Sequence, residues 1–508
     1  MFAKCCGATT VGVDGQIIDV EVDVASGLPS FEMVGLPEAM VKEAKERVRT
    51  AVKNSGFKIM PQKVTINLAP ATLRKDSTGL DLPIAVALLA AYGILSPKSI
   101  QDCLFAGELS LEGQVRGIPG ILPMAIRANE LGFKAFFVAR ENANEALLVN
   151  ELTVFTVDSI KDLADYLNGV TEWVPAISEA LDTNYQAELT EDFADVQGQF
   201  LAKRGLEIAA AGGHNILLVG SPGAGKTMLA RRLNSILPEM TTEEALEVTK
   251  IYSISGLLKK HSGLITKRPF RSPHHTTSAV AMIGGGSIPH PGEVSLSHNG
   301  VLFLDELPEF GKQALEALRQ PLEDGMVSIA RINASLTFPS RFILCCSMNP
   351  CPCGYYNDPE KQCDCSFSAI KRYNRKISGP LLDRIDIHIR VPRVTFKELT
   401  TKEQAEPSAV IRERVVAARQ RQLVRLKKHG IYCNAQMNHA MIQSFCVLST
   451  SAKILLEQAF KSMHLSARSY DRIIKVARTI ADLAGTENIE SAHIAEAIQL
   501  RNDRDYEG

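Results

Sequence analysis

Apolar and polar residues alternate from Ile18 to Val24, with Ile18, Val20, Val22 and Val24 on one side and Asp19, Glu21 and Asp23 on the other. A period of two predicts a half-buried strand. Over residues 37–56 the apolar positions recur at helical spacing, opened by Pro37 and closed by Gly56, the usual asymmetry of helix ends. Strand-like runs follow at 63–68, 104–109, 135–138 and 152–157, several of them separated by helical patterns. The apolar run 84–95 carries an Ala/Leu pattern and is too short to span a bilayer, so it predicts a buried helix. These elements predict an α/β domain over residues 1–170.

Residues 171–196 are polar and acidic, with Glu172, Glu179, Asp182, Glu188, Glu191, Asp192 and Asp195. They predict a linker, or a small clasp against the domain that follows. A second α/β domain is expected over 197–395, and a helical one over 396–508. In the latter, 408–429 reads as a helix and three further helical patterns fill 438–501. At 508 residues the chain is too long for one core. Its 45% hydrophobic and 22% charged residues are ordinary for a soluble globular protein. The net charge of -1 gives no overall basic field, so a nucleic-acid partner needs a local patch or an interior channel. The first residues lack a charged start followed by an apolar core, so neither a signal peptide nor a membrane partner is expected. Eleven cysteines, two pairs of them adjacent (Cys5-Cys6 and Cys345-Cys346), suit a reducing cytoplasm better than a disulfide framework.

The chemistry concentrates in the second domain. The apolar strand 216–219 runs into Gly220, Ser221, Pro222, Gly223, Ala224, Gly225, Lys226 and Thr227. This is G-x-x-x-x-G-K-[ST] in the strand-then-helix context of a phosphate-binding loop for ATP. The glycines let backbone N–H groups face the phosphates, Lys226 is set to reach the β and γ phosphates, and Thr227 to hold Mg²⁺. A second apolar strand, 301–304, ends in Asp305 and Glu306. Asp305 suits the Mg²⁺ shell, and Glu306 suits polarisation of the attacking water. A third, 342–347, leads to Asn349, an amide able to orient that water. Arg384, in Leu-Leu-Asp-Arg-Ile-Asp, reads either as an arginine finger acting on a neighbouring subunit's ATP or as a surface salt bridge. Arg468 opens a late helix as a candidate nucleotide sensor, with Arg472 as its competitor.

Cys351, Cys353, Cys363 and Cys365 form two C-x-C pairs in a loop rich in Gly, Asn, Asp and Pro. Four clustered thiols suit a tetrahedral Zn²⁺ site, although the spacing is not the usual C-x-x-C. Free reduced thiols and a redox pair are the other readings. Arg412, Arg414, Arg419, Arg421, Arg425, Lys427 and Lys428 lie close together on the predicted helix 408–429. They form either a solvated helix face or a phosphate-tracking surface for DNA.

The motifs Arg268-Pro-Phe-Arg-Ser-Pro-His-His275, Gly284-Gly-Gly286, Pro291-Gly-Glu-Val-Ser-Leu296 and His298-Asn-Gly-Val-Leu-Phe-Leu-Asp-Glu306 resemble those of the YifB/ComM family of magnesium-chelatase-like AAA+ ATPases. The resemblance covers essentially the whole chain. It implies an AAA+ P-loop core with a helical lid, assembled as a homo-hexamer. It also implies a helicase role on branched or single-stranded DNA held in a central pore, driving branch migration during homologous recombination in natural transformation, with recombination proteins as further partners. Two insertions within the core are implied. One lies at 278–297 and projects a loop, 284–290, with Gly285 and His290 toward the pore. The other is a hairpin, 325–338, with Arg331 near its tip. Paired His274 and His275 read as structural. The resemblance further implies a Lon-protease-like (ribosomal S5 domain 2-like) fold for residues 1–170, with Ser77 where that fold carries its nucleophile. The partner segment 118–124 contains no lysine, so a fold without peptidase activity is expected.

Three functions remain: a DNA translocase or branch-migration helicase, a protein-remodelling or metal-insertion chaperone of the magnesium-chelatase type, and an ATP-dependent protease, which the missing lysine disfavours. Residues 364–368 match D-x-S-x-S, but they lie inside the cysteine cluster with no apolar strand before them and are read as chance.

Overall fold

The computed structural model describes residues 1–35, 39–73, 75, 78–177, 191–258, 263–286, 289–331, 334–395, 398, 405–463 and 465–501. The amino-terminal part is built on a seven-stranded sheet in the order Ser30–Val34, Lys63–Ala69, Asp14–Ala25, Phe2–Val11, Cys103–Ala106, Ala135–Ala139, Thr153–Val157. Its first long hairpin is antiparallel, and the last three strands continue in parallel. Ile18, Val20, Val22 and Val24 all face inward, as their alternation predicts. The predicted strand 104–109 is broken at Gly107 into Cys103–Ala106 and Glu108–Leu109. Every residue of the helix Asp81–Ala91 is buried, which is why it shows no polar face. Its one carboxylate, Asp81, is fully enclosed and paired with Arg47 at 2.8 and 3.0 Å. Ser77 lies outside the described residues. Lys75, nearby, is buried and donates to the carbonyls of Gly35 and Pro70.

The second sheet has five strands in the order Phe270–Arg271, Val301–Leu304, Ile343–Met348, Ile216–Val219, Ile387–Arg390, all parallel. The three central strands are buried along their whole length, as expected of a parallel sheet covered on both faces. The helix Ser408–Leu426 crosses back over this domain and leads into the lid. There the described residues hold four helices where the sequence pattern predicts three: His439–Phe445, Thr450–Ser462, Ala467–Ala484 and Ser491–Gln499.

The described ends of the acidic stretch 171–196 are anchored to their flanking domains. Trp173 stacks on Tyr166 with ring centroids 4.8 Å apart. Phe193 is fully buried in the core shared by the ATPase sheet and lid. Asp192 accepts from the Ser408 amide at 2.9 Å, and Arg232 pairs with Asp195 at 3.1 Å.

The two large units meet where the helix Ile121–Glu130 packs on the helix Thr242–Ile254. A buried carboxylate closes this contact. Glu145 accepts from the hydroxyl of Ser253 and from the Leu122 amide at 2.7 Å, while Gly120 donates to the Ser253 carbonyl at 3.1 Å. Burial raises the Glu145 pKa, opposed by hydrogen bonds from Ser253, Leu122 and Asn142. Because the folded value lies above the ordinary one, the folded state holds this proton more tightly, and the group's contribution to stability is lost as pH rises through that window. Glu145→Gln keeps an acceptor for Leu122 and Ser253 without a charge. In thermal melts it should gain on wild type as pH is raised from mildly acidic to neutral; parallel curves would contradict a buried charge at this interface.

Candidate active site and cysteine cluster

The parallel register brings the carboxyl ends of three strands to one level: Val219 pairs with Met348, and Leu304 with Cys346. Past Val219 the chain has to turn beneath Val391, whose carbonyl oxygen would lie 2.3 Å from a Cβ at Gly220. Only glycine fits there. Gly223 and Gly225 adopt φ of +80° and +84°, and the helix Lys226–Ile236 starts immediately after. The loop amides and the positive end of that helix together form an anion site.

A cavity of about 450 Å³ opens over this loop, lined by residues 222–228, Asp305, Glu306, Ser347, Met348 and Asn349. Lys226 Nζ donates to the carbonyls of Gly220 (2.7 Å) and Ser221 (3.1 Å) and to Asn349 Oδ1 (3.1 Å). Burial lowers its pKa, while Asp305 and Glu306 raise it. Thr227 Oγ1 donates to Asp305 Oδ2 at 2.8 Å, so a hydroxyl and a carboxylate already stand side by side as oxygen ligands suited to Mg²⁺. Glu306 is exposed and sits at φ +55°. Such a backbone costs a non-glycine residue about 1 kcal/mol or more and turns the carboxylate out of the strand toward the cavity mouth. Ser347 was not singled out from the sequence. Its hydroxyl donates to Asp305 Oδ1, and it accepts from the Glu306 amide at 3.4 Å. A lone hydroxyl between Cys346 and Met348 in an apolar strand was the available signal.

Neither Arg384 nor Arg468 lines this cavity. Arg384 is nearly buried; its guanidinium donates to the Pro380 carbonyl at 2.7 Å and pairs with Glu323. That pair is the main cause of the lowered Glu323 pKa, with smaller contributions from Arg468 and Arg472. Arg468 is exposed and lies near enough to Glu323 to add to that effect. Its competitor Arg472 is committed to the buried Asp386.

The four cysteine sulfurs lie within 4.8 Å of one another. Cys351–Cys353, Cys351–Cys363 and Cys353–Cys363 separations are 3.3, 3.7 and 3.5 Å, near the roughly 3.8 Å edge of a tetrahedron with Zn–S bonds of about 2.3 Å. Amides of Gly354 and Cys365 donate to the Cys351 and Cys363 sulfurs at 3.2 and 3.4 Å, as suits thiolate ligands. Against desolvation, which raises it, hydrogen bonds from the Tyr355 amide and the neighbouring thiols lower the Cys353 pKa to about 6. The donor set and its geometry fit a metal ion.

Comparison with known proteins accords with this arrangement. Residues 192–399 match the family described as "Magnesium chelatase, subunit ChlI", residues 20–142 "Subunit ChlI of Mg-chelatase", and residues 405–501 "Magnesium chelatase, subunit ChlI C-terminal". The competence protein ComM of Haemophilus influenzae is 44% identical over 97% of this chain and 96% of its own length. The Escherichia coli protein YifB is 44% identical over 97% and 95%. The chain belongs to the YifB/ComM family of magnesium-chelatase-like AAA+ proteins. Membership implies the use of ATP and Mg²⁺. The magnesium-chelatase 67 kDa subunit of Chlorobaculum parvum is 27% identical over 31% of this chain.

The family motifs have structural roles. Arg268 donates to the carbonyls of Pro238 and Asn299, both at 2.6 Å, and pairs with Glu244 at 2.8 Å. Arg271 and Glu293 form a two-point pair at 2.7 Å that ties the first insertion to the strand Phe270–Arg271. That insertion contains the short helix Ala279–Ile283 and a small hairpin in which Gly285 pairs with His290. His290 is exposed, and residues 287–288 lie outside the described region. The His274 and His275 rings touch at 4.1 Å between centroids, tilted by 35°, and His274 bonds Thr276 at 2.9 Å. In the second hairpin, Met326–Arg331 pairs with Ala334–Pro339, and Arg331 is the last described residue before the tip. Met282 of the first insertion and Ile329 and Phe338 of the second belong to one core cluster together with Leu302 and Leu304, and a Cβ at Gly284 would lie 3.2 Å from Ile329 Cδ1.

The basic stretch on Ser408–Leu426 is tied to its neighbours through five arginines, three half-buried and two exposed. Arg412 bonds the Ser235 carbonyl, Arg414 pairs with Glu207 and Glu406, Arg419 bonds the Ala210 carbonyl, and Arg425 pairs with Asp482. Arg421 donates to the Asp482 carbonyl at 2.7 Å near the end of the lid helix Ala467–Ala484. Arg421 itself stays exposed, and the helix serves as a strut between core and lid.

Glu306→Gln should leave nucleotide binding within about twofold of wild type and lower kcat for ATP by roughly 10²–10⁴-fold, the scale of a lost general base. Lys226→Ala should abolish binding itself. An unchanged kcat in Glu306→Gln would remove Glu306 from the catalytic role.

Proposed function

We propose that the chain is an ATP-driven DNA translocase that assembles as a homo-hexameric ring and promotes branch migration during homologous recombination of incoming DNA in natural transformation. The observation that carries this reading is the seating of the two insertions: both place residues in the core cluster that holds Leu302 and Leu304 of the strand ending in Asp305 and Glu306. A load gripped by Gly285, His290 and Arg331 is thereby linked to the nucleotide site. The near full-length likeness to a competence protein supports the biological setting. Among the described residues, no helix is long and apolar enough to cross a membrane, in keeping with a cytoplasmic role.

In this reading Arg384 and Arg468 complete the ATP site of the neighbouring subunit, since both lie near Glu323 and neither lines the chain's own cavity. Arg384 exchanges Glu323 for the transferring phosphate, where its charge stabilises the transition state. Glu306 polarises the attacking water, oriented with help from Asn349. Zn²⁺ is held by Cys351, Cys353, Cys363 and Cys365. The amino-terminal domain, read as Lon-like, acts as a docking or DNA-facing collar without peptidase activity; the Lys75 amine is occupied by two backbone carbonyls. A metal-insertion role of the chelatase type is the second reading, favoured by the family matches.

Branched DNA should stimulate the ATPase and be moved by it in three- and four-strand exchange assays. Arg384→Ala should keep ATP binding and lose at least about 10³-fold in hydrolysis, the scale of an arginine finger. A purified ring with neither DNA-stimulated ATPase nor strand movement would sink the translocase reading.

A further inference from the structure

The loop that carries the cysteines touches the phosphate-binding loop directly, at two points. Ser221, the second residue of the P-loop, donates its hydroxyl to Asp358, whose side chain is only 1% exposed. Gly354, at φ +87°, lies so close to Pro222 that a Cβ there would sit 2.5 Å from Pro222 Cδ. Arg393 fastens both contacts. Its guanidinium lies 3.6 Å from the Asp358 carboxylate, donates to the Pro222 carbonyl at 3.4 Å, and covers the Tyr355 ring at 5.4 Å. Gly354 and Asp358 both belong to the segment between Cys353 and Cys363, which contains no helix or strand. With no ladder to hold it, that segment takes its shape from the sulfur cluster at its ends and from its seat on the P-loop.

We propose that the four-cysteine site is a clamp on the phosphate-binding loop, in which bound metal fixes the 353–363 segment and that segment, through Asp358 and Gly354, fixes Ser221 and Pro222 in the form that receives nucleotide. The proposal rests on the reading of the cluster as a Zn²⁺ site. Asp358 is a positioning residue: it touches the P-loop and does not line the cavity. When the metal leaves, the ends of the segment part, Asp358 and Gly354 withdraw, and Ser221 and Pro222 lose their outer wall. Lys226, Thr227 and Asp305 remain in place, so the loss falls on nucleotide affinity and not on the chemistry.

The test uses the full chain, with zinc content by elemental analysis and affinity from titration with a fluorescent ADP in Mg²⁺. Asp358→Ala is expected to retain zinc and the wild-type melting profile while binding nucleotide about tenfold more weakly, the scale of one charge-assisted hydrogen bond. Asp358→Asn keeps an acceptor for Ser221 and should recover part of that loss. Chelation of the wild type should weaken binding to a similar extent, readdition of zinc should restore it, and chelation should add little to Asp358→Ala. Zinc-loaded Asp358→Ala that binds as tightly as wild type would overturn the clamp and leave the zinc site standing. So would a wild type whose affinity is indifferent to zinc removal. A chain that purifies without zinc and takes none up would overturn the metal reading itself, which elemental analysis distinguishes from failure of the clamp.

Discussion

The common level at which three buried parallel strands end is the constraint on which the site depends. Backbone hydrogen bonding sets Val219 beside Met348 and Leu304 beside Cys346. Every group that follows those strands is therefore delivered to one small volume. Lys226 meets Asn349, Thr227 meets Asp305, and Ser347 meets both Asp305 and Glu306. A one-residue slip of either neighbour would turn these side chains to the opposite face of the sheet. The all-apolar strands prevent that slip, because any shift would push Phe303 or Leu218 out of a filled core. Catalytic geometry here is a by-product of core packing.

The parts of the molecule legible in the sequence were those whose chemistry is local. The P-loop declares itself because glycine, lysine and threonine must follow one strand within a few residues, and the alternation at Ile18 to Val24 declares its strand for the same reason. Contacts between distant segments left a fainter trace. Asp358 and Arg393 are ordinary loop residues until the fold seats them against Ser221 and Tyr355. Glu323 gives no hint of Arg384. The partners of the basic stretch at 412–428 are equally hidden in the sequence: its arginines bond Asp482, Glu207 and backbone carbonyls. Spacing reveals which side chains share a helix face, but not what that face meets.

The same distinction separates the two halves of the chain. In the amino-terminal half the apolar helix Asp81–Ala91 is readable as buried, whereas no pattern in the sequence marks Glu145, which is a buried seal between domains. Through Ser253 it fixes the helix Thr242–Ile254, and Tyr252 of that helix donates to the Leu296 carbonyl at the end of the first insertion. The amino-terminal domain is thus connected through hydrogen bonds to the element proposed to grip DNA.

The pairing of Arg384 with Glu323 carries a thermodynamic consequence. In the ring proposed above, a free subunit supplies its own counter-ion to the guanidinium, and that attraction must be given up before the arginine can face a neighbour. The phosphates of a nucleotide bound next door are the stronger counter-charge, so in a ring they tip the exchange. Subunit association and nucleotide occupancy are then linked functions, each tightening the other by the same factor. Glu323 sets how large that factor is, from a position that contacts neither the nucleotide nor the load.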